Sequence, residues 1–162
     1  MASSDRDALV ALYNTTDGAK WTNKKNWNTN APLSDWYGVN EVNGAGRVVK
    51  LNLSSNNLQG PIPPELGKLA ALVELVLWSN QLSSPIPSEL GHLSALKELY
   101  LANNQLSGSI PPELGKLAAL TTLDLRFNKL SGRVLAERLG SKAPVKLSLQ
   151  AEEQVRNILP GI

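Results

Sequence analysis

The feature that most constrains this chain is a 24-residue segment that occurs three times in succession. The copies begin at Val48, Leu72 and Leu96, and a fourth begins at Leu120 but departs from the pattern after Gly132. Such a repeat predicts a stack of similar structural units, because each unit buries its apolar edges against its neighbours. A duplicated catalytic site is a less common explanation of a repeat of this kind.

The first half of each copy has the spacing L-x-x-L-x-L-x-x-N-x-L. Its L-x-L core alternates with a period of two, which predicts a short strand with one buried face. An asparagine follows each strand, and we expect its amide to bond backbone groups of the neighbouring units that no sheet satisfies. Stacked copies should therefore form an asparagine ladder of Asn56, Asn80, Asn104 and Asn128.

The second half of each copy, "GPIPPELGKL" in the first, predicts a compact return path. Its prolines disfavour the interior of a regular helix or strand. A short helical turn is expected over "PELGKL", because proline is tolerated in a first turn. Each unit then has one strand on one side and a return on the other, so that the stacked strands form a parallel sheet.

These motifs resemble the leucine-rich repeat family in its plant-type version, which has L-x-G-x-I-P after the asparagine. The resemblance covers residues 48 to about 132. It implies an α/β fold, a right-handed solenoid with a parallel concave sheet, short helical turns on the convex side and a cap at each end. Two departures from the pattern are Ser84 in place of the usual glycine and "GRVL" (132–135) in place of G-x-I-P.

We expect one domain over residues 1–162, with about four repeats at 48–132 between two caps. The N-terminal cap, residues 1–47, has a helical pattern, then Trp21, Trp27 and Trp36, then a hairpin that leads into the first repeat. Secreted relatives commonly carry a cysteine pair here, and tryptophan packing must replace it in this chain. For the C-terminal cap, residues 133–162, "APVKLSLQ" predicts a strand and "AEEQVRNIL" a helix.

Composition excludes several other classes of protein. The chain has 162 residues, a net charge of +2 without a basic run, and no cysteine. Nucleic-acid binding, membrane insertion, disulfides and cysteine chemistry are therefore not expected. The absence of cysteine and of a signal-peptide pattern at the start slightly favours a cytoplasmic location. The glycosylation triplets at Asn14 and Asn52 point the other way, and we expect neither to be modified.

No residue set in the sequence supports catalysis. His92 occupies the position of Lys68 and Lys116 in the neighbouring units, so we expect it to be solvated. "GAGRVV" at Gly44 lacks the third glycine and the following helix of a dinucleotide loop. The repeated glutamates Glu65, Glu89 and Glu113 fit a solvated row better than an acid–base pair. We therefore predict a protein that is not an enzyme and has no metal or cofactor.

The positions between the strand leucines face the concave surface and differ from unit to unit. Adjacent strands should bring Trp78, Tyr100 and Arg126 into one diagonal patch, and these residue types dominate binding energy at protein interfaces. Alternatively, Trp78 stacks on Tyr100 only to stabilise the sheet, or Phe127 lies over the asparagine ladder. The residues predicted to form the binding surface are Glu74, Val76, Trp78, Glu98, Tyr100, Asp124, Arg126 and Phe127.

The leading hypothesis is a module that binds a protein or peptide on its concave sheet. We expect a monomer, which can be part of a larger multidomain chain. Glu74 and Glu98 should lie side by side with Lys50 nearby, which indicates a partner with a basic spot. The alternative is a structural spacer or consensus-like scaffold without a dedicated ligand. Inhibition of a secreted hydrolase, as some relatives perform, is a third hypothesis that the lack of cysteines disfavours.

Overall fold

A computed structural model describes residues 4–131 and 146–148 of the chain. Helix α1 spans Ser4–Thr15. Ten strands follow: β1 Val39–Val42, β2 Val48–Asn52, β3 Gln59–Pro61, β4 Glu74–Val76, β5 Gln81–Pro85, β6 Glu98–Tyr100, β7 Gln105–Ser109, β8 Thr122–Asp124, β9 Lys129–Ser131 and β10 Lys146–Ser148. Five short 3-10 helices span Gly18–Lys20, Leu33–Asp35, Pro64–Lys68, Ser88–His92 and Pro112–Lys116.

The strands of the repeats form a six-stranded sheet, which we call the inner sheet. Its order is β1-β2-β4-β6-β8-β10, and every pair is parallel except β1 with β2. The leucines of the L-x-L cores, such as Leu75 and Leu99, are fully buried, because alternate residues of a strand point to opposite faces. The predicted parallel sheet and its solenoid fold are confirmed. The strand predicted in "APVKLSLQ" is also confirmed, whereas the predicted C-terminal helix lies outside the described residues.

The asparagine ladder is confirmed in detail. The Asn80 side-chain oxygen accepts hydrogen bonds from the backbone N–H groups of Asn56 (2.9 Å) and Leu58 (3.0 Å) in the preceding unit. Its amide nitrogen donates to the carbonyls of Leu53 and Leu77, both at 3.0 Å. Asn104 and Asn128 repeat this arrangement one and two units further on. Each asparagine therefore joins its own unit to the one before it.

The return path contains a second sheet that the sequence analysis missed. Strands β3, β5, β7 and β9 pair in parallel. The last three begin directly after the asparagine of their unit, and β3 begins three residues after Asn56. The predicted helical turns are present beyond this sheet, as 3-10 helices that begin at Pro64, Ser88 and Pro112. The return path is thus more regular than its prolines indicated.

The 3-10 helices of successive units approach each other closely at Gly67 and Gly91. A Cβ atom added to Gly91 would lie 2.6 Å from the backbone oxygen of Glu113, and one on Gly67 would overlap the backbone oxygen of Glu89. Both positions therefore require glycine if the outer edges of the units are to keep this spacing.

Ser84 occupies a backbone position that favours glycine. Its φ is 67°, and the equivalent Gly60 and Gly108 have φ values of 105° and 74°. A residue with a Cβ pays roughly 1–2 kcal/mol in this left-handed region, whereas glycine loses roughly 0.5–1 kcal/mol more backbone entropy on folding. The departure from the repeat pattern at Ser84 is thus a point of local strain.

We expect Ser84→Gly to raise the free energy of unfolding by about 0.5–1 kcal/mol, the difference between these two terms. Urea denaturation followed by circular dichroism measures the change. The matched control is Ser83→Gly, one residue earlier, where φ is not positive and glycine should destabilise. Equal destabilisation by both variants would show that Ser84 is not strained.

A cluster of aromatic rings lies within residues 4–47 and belongs to the same buried core as the leucines of the first repeat. The ring centroids of Trp21 and Trp27 are 4.7 Å apart, those of Trp27 and Trp36 are 4.9 Å apart, and Tyr13 contacts Trp21 at 5.3 Å. All three tryptophans are buried, and each indole N–H donates to a backbone carbonyl. Burial of both the rings and their polar groups in this way accounts for a stable junction without disulfides.

Polar contacts also attach this segment to the first repeat. The buried carboxylate of Asp5 accepts hydrogen bonds from Arg47 (2.7 Å) and from the backbone N–H of Val48 (2.8 Å), where β2 begins. The side-chain oxygen of Asn56, the first asparagine of the ladder, accepts from the backbone N–H of Asn23 at 2.7 Å. The division into caps and repeats nevertheless remains a prediction.

Candidate functional site

The predicted binding residues lie in register across the inner sheet. Glu74 is aligned with Glu98 and Thr122, and Val76 is aligned with Tyr100 and Asp124. Trp78, Arg126 and Phe127 follow the ends of their strands, so they lie at the edge of the sheet formed by the C-terminal ends of the parallel strands. We call this edge, with the residues that precede it on the same face, the binding edge.

Two aromatic residues at the centre of the binding edge contact each other. The rings of Trp78 and Tyr100 have centroids 5.7 Å apart and meet edge to face at 61°. Trp78 nevertheless retains 41% of its surface exposed, while Tyr100 is half-buried. The Tyr100 hydroxyl donates to the carboxylate of Glu98 at 3.3 Å. The contact expected under the alternative hypothesis is therefore present, and it still leaves part of the Trp78 side chain open to solvent.

The expectation that Val76 and Asp124 are exposed is wrong. Each is only 4% exposed, so neither offers a free side chain to a partner. Asp124 is engaged by Arg126, whose guanidinium donates to the two carboxylate oxygens at 3.0 and 2.9 Å. This ion pair raises the pKa of Arg126 above its usual range, mainly through the hydrogen bonds. Arg126 thus keeps an exposed guanidinium, but one whose charge is already balanced.

Phe127 is exposed and has an unusual backbone conformation. Its φ is 59°, as at the equivalent Ser55, Ser79 and Asn103, but only Phe127 places a bulky side chain in this left-handed region. Its side chain is 54% exposed. A strained aromatic residue that contributes little burial calls for a functional explanation.

Tyr37 also lies at the binding edge, and the sequence analysis missed it. The backbone oxygen of Gly38 accepts from the N–H of Asn52 at 2.8 Å, so Tyr37 lies beside the C-terminal end of β2. It is 38% exposed. The signal that could have identified it is its position in "WYGV", two residues before the first residue of β1 that pairs with β2.

The residues considered for catalysis lie on the convex side. His92 is exposed, as expected, and borders a shallow groove with Lys68, Glu65 and Glu89. Across residues 4–131 and 146–148, no three histidines or carboxylates are grouped so that they could hold a metal ion. Within the same residues, no helix has the length and hydropathy needed to cross a membrane.

Comparison with known proteins identifies the repeats. Two family models described as leucine-rich repeat match residues 47–69 and 70–130, which together make up just over half of the chain. A probable leucine-rich repeat receptor-like protein kinase of Arabidopsis thaliana is 37% identical over 70 residues, which cover 43% of this chain and 7% of the kinase.

Solved structures extend the likeness beyond the repeats. The leucine-rich repeat ectodomain of the Arabidopsis receptor kinase SOBIR1 is 32% identical, with a TM-score of 0.68 over 86% of this chain and 75% of that one. The ectodomain of the Arabidopsis membrane receptor kinase GASSHO1/SCHENGEN3, in complex with CASPARIAN STRIP INTEGRITY FACTOR 2, is 33% identical, with a TM-score of 0.80 over 91% of this chain and 18% of that one. The chain belongs to the leucine-rich repeat family.

These relatives overturn the preference for a cytoplasmic location. The similar structures are ectodomains, the extracellular parts of plant membrane receptor kinases. The preference depended on the absence of cysteines and of a signal pattern. It was wrong because the buried tryptophans and the Asp5 contacts can stabilise the first repeat without a disulfide, so a cysteine-free sequence carries little information about the compartment.

Proposed function

We propose that this chain is a non-enzymatic recognition module that binds a protein or peptide along the binding edge. The observation that carries the proposal is the distribution of exposed rings. Within the described residues, all three large hydrophobic side chains that are exposed, Tyr37, Trp78 and Phe127, lie at this one edge of the inner sheet. Aromatic residues at such positions bury a large area on binding at a small entropic cost.

The geometry of the edge favours an extended partner that crosses the strands. Tyr37 precedes β1, Trp78 follows β4 and Phe127 follows β8. Because neighbouring strands are about 4.8 Å apart and four such steps separate β1 from β8, the three rings span roughly 19 Å across the sheet. A peptide segment of about six residues covers this distance when extended. The residues that we propose to contact it are Tyr37, Glu74, Trp78, Glu98, Tyr100, Arg126 and Phe127.

The relatives support both the kind of partner and an extracellular location. The GASSHO1/SCHENGEN3 ectodomain was solved with a bound partner. We propose the same setting for this chain, as one leucine-rich repeat domain over residues 1–162 with the caps and repeats described above, which acts as a monomer or as part of a larger chain. The chain spans only 7% of the curated kinase, so the kinase's activity is not assigned to it.

The second candidate is a structural spacer without a dedicated ligand. The edge-to-face contact between Trp78 and Tyr100 favours it, because such a contact stabilises neighbouring strands by about 0.5–1.5 kcal/mol without any partner. This explanation does not extend to Phe127, whose exposed ring contacts no other aromatic ring among the described residues.

We expect Trp78→Ala and Phe127→Ala each to weaken binding at least about thirtyfold, the effect of truncating an interface hot spot of about 2 kcal/mol. The probes are peptides selected on the wild-type protein from a phage-displayed library of random linear peptides, and titration calorimetry measures their affinity. Lys116→Ala, an exposed substitution on the convex side, is the control. The spacer hypothesis is favoured if selection yields no peptide. It is also favoured if the selected peptides bind the wild type and the three variants equally.

A further inference from the structure

Among the described residues, two glutamates on the same face of the inner sheet as Trp78 have no balancing charge. Lys50, Glu74, Glu98 and Thr122 form one row across the inner sheet, and Lys146 of β10 continues the row beyond Thr122. Glu74 and Glu98 are therefore neighbours on adjacent strands, about 4.8 Å apart along the sheet. Like charges placed directly opposite each other destabilise a sheet. The fold thus retains an unfavourable repulsion between the two carboxylates at this position.

Lys50 and Arg126, which lie on or at the edge of the same sheet as these glutamates, pair with other carboxylates. The Lys50 ammonium lies 3.3 Å from the carboxylate of Glu41 on β1, although the backbone of Lys50 is aligned with Glu74. Arg126 is held by Asp124 at 2.9 Å. Among the described residues, neither Glu74 nor Glu98 has an ion-pair partner. The sequence analysis expected Lys50 to reduce the repulsion between the two glutamates, but Lys50 pairs with Glu41 instead.

The pKa of Tyr100 is affected by the negative charge of these glutamates. Burial is the main cause that raises the pKa of its hydroxyl, and the negative charges of Glu98, Glu74 and Asp124 raise it further, together with the hydrogen bond to Glu98. The hydroxyl therefore stays protonated and keeps donating to Glu98, which leaves the second carboxylate oxygen of Glu98 and both oxygens of Glu74 available to a donor.

We propose that the segment bound at the binding edge carries a cationic side chain, arginine in preference to lysine, that lies against the Trp78 ring and pairs with Glu74 and Glu98. This inference rests on the proposed function and specifies the chemistry of its partner. A guanidinium suits the site because it stacks on an aromatic face and donates to two carboxylates at once. It would also relieve the repulsion between the two glutamates that no described cation relieves.

The test compares two double variants that change the net charge equally. Glu74→Gln with Glu98→Gln removes both carboxylates of the binding edge, and Glu65→Gln with Glu113→Gln removes two on the convex side. Peptides selected on the wild-type protein are titrated against all three proteins, and each is also synthesised with citrulline, the neutral isostere, in place of arginine. Thermal melting verifies that the variants are folded.

We expect the selected peptides to be rich in arginine beside an apolar residue. Loss of Glu74 and Glu98 should weaken their binding at least about tenfold, citrulline should have a similar effect, and the convex-side variant should match the wild type. Peptides that need Trp78 but bind the Glu74/Glu98 variant or the citrulline form undiminished would overturn the cationic partner and leave the proposed function intact. Peptides that need neither Trp78 nor the glutamates would overturn both.

Discussion

Replacement of Asn80 by alanine is expected to lower the free energy of unfolding by about 3–5 kcal/mol, the cost of leaving several buried polar groups unpaired at about 1–3 kcal/mol each. The Asn80 side chain is 6% exposed and serves two backbone N–H groups and three backbone carbonyls in two successive units. Alanine fills part of the space but supplies none of these bonds, and water has no access to replace them. A domain of this size has a total stability of about 5–15 kcal/mol, so the loss is a large fraction.

Urea denaturation followed by circular dichroism measures this loss, and amide exchange locates it. Protection should decrease at Asn56 and Leu58, whose N–H groups lose their acceptor, before it decreases at Leu106, whose acceptor is Asn128. Gln81→Ala, the adjacent exposed residue of β5, is the matched control and should change stability by less than about 0.5 kcal/mol. If Asn80→Ala destabilises no more than this control, the ladder is not a major source of stability.

Replacement of Trp36 by alanine should be about equally damaging, at roughly 3–5 kcal/mol for truncation of a buried tryptophan. The Trp36 side chain is 2% exposed, contacts the Trp27 ring at 4.9 Å, and donates from its indole nitrogen to the backbone oxygen of Ala31 at 3.1 Å. The guanidinium of Arg6 covers its other face at 5.2 Å from the ring centroid. The substitution therefore removes a central contact between α1 and the segment that leads into the repeats.

The position of the damage distinguishes a cap from an independent domain. Repeats couple mainly to their nearest neighbours, so exchange protection should be lost first over Val48 to Leu58 and only later in the units beyond. Tyr37→Ala is the matched control, because this adjacent aromatic residue is 38% exposed and should leave the melting temperature nearly unchanged. An unchanged melting temperature in Trp36→Ala, with the first repeat still protected, would contradict the prediction that residues 1–47 are an integral cap.

The parts of the fold that could be predicted are those that recur with the period of the stack. The strand leucines and the four asparagines occupy equivalent places in each unit. The same requirements for burial and hydrogen bonding therefore produce the same residues at a fixed interval in the sequence. Asn56 shows where this stops. Its ladder position was predicted, but its partner Asn23 belongs to a segment without a repeat, and no pattern in the sequence relates the two.

The second sheet was not predicted because glycine or proline occurs in three of its four strands. Strand β3 has three residues, and it contains Gly60 at a φ of 105° and ends at Pro61. Both residue types normally argue against a strand. The sheet exists because the asparagine ladder and the stacking of the units hold these segments side by side, which is a property of the stack rather than of any one segment.

The binding edge was predictable in its register but not in its exposure. The alternation of the strands correctly placed Glu74 beside Glu98 and Val76 beside Tyr100. Whether a side chain on that face is free depends on how its neighbours lie, and Asp124 is buried because Arg126 folds back onto it. The sequence analysis assigned Tyr37 only to the predicted cap. Its place beside β2 depends on the antiparallel pairing of β1 with β2, and the register of that pairing is irregular.

The close contacts at Gly67 and Gly91 determine the curvature of the solenoid on which the binding edge lies. Hydrogen bonds hold the inner strands at a fixed spacing, so any widening on the outer side must bend the stack more sharply. A methyl group on either glycine would force the neighbouring outer segment away and bring the strands of the inner face to steeper angles. The distance from Tyr37 to Phe127, which the ligand that we propose would bridge, is thus controlled by two residues on the opposite side of the protein. Substitution of these glycines should alter which peptides bind, although neither glycine belongs to the residues that we propose to contact them.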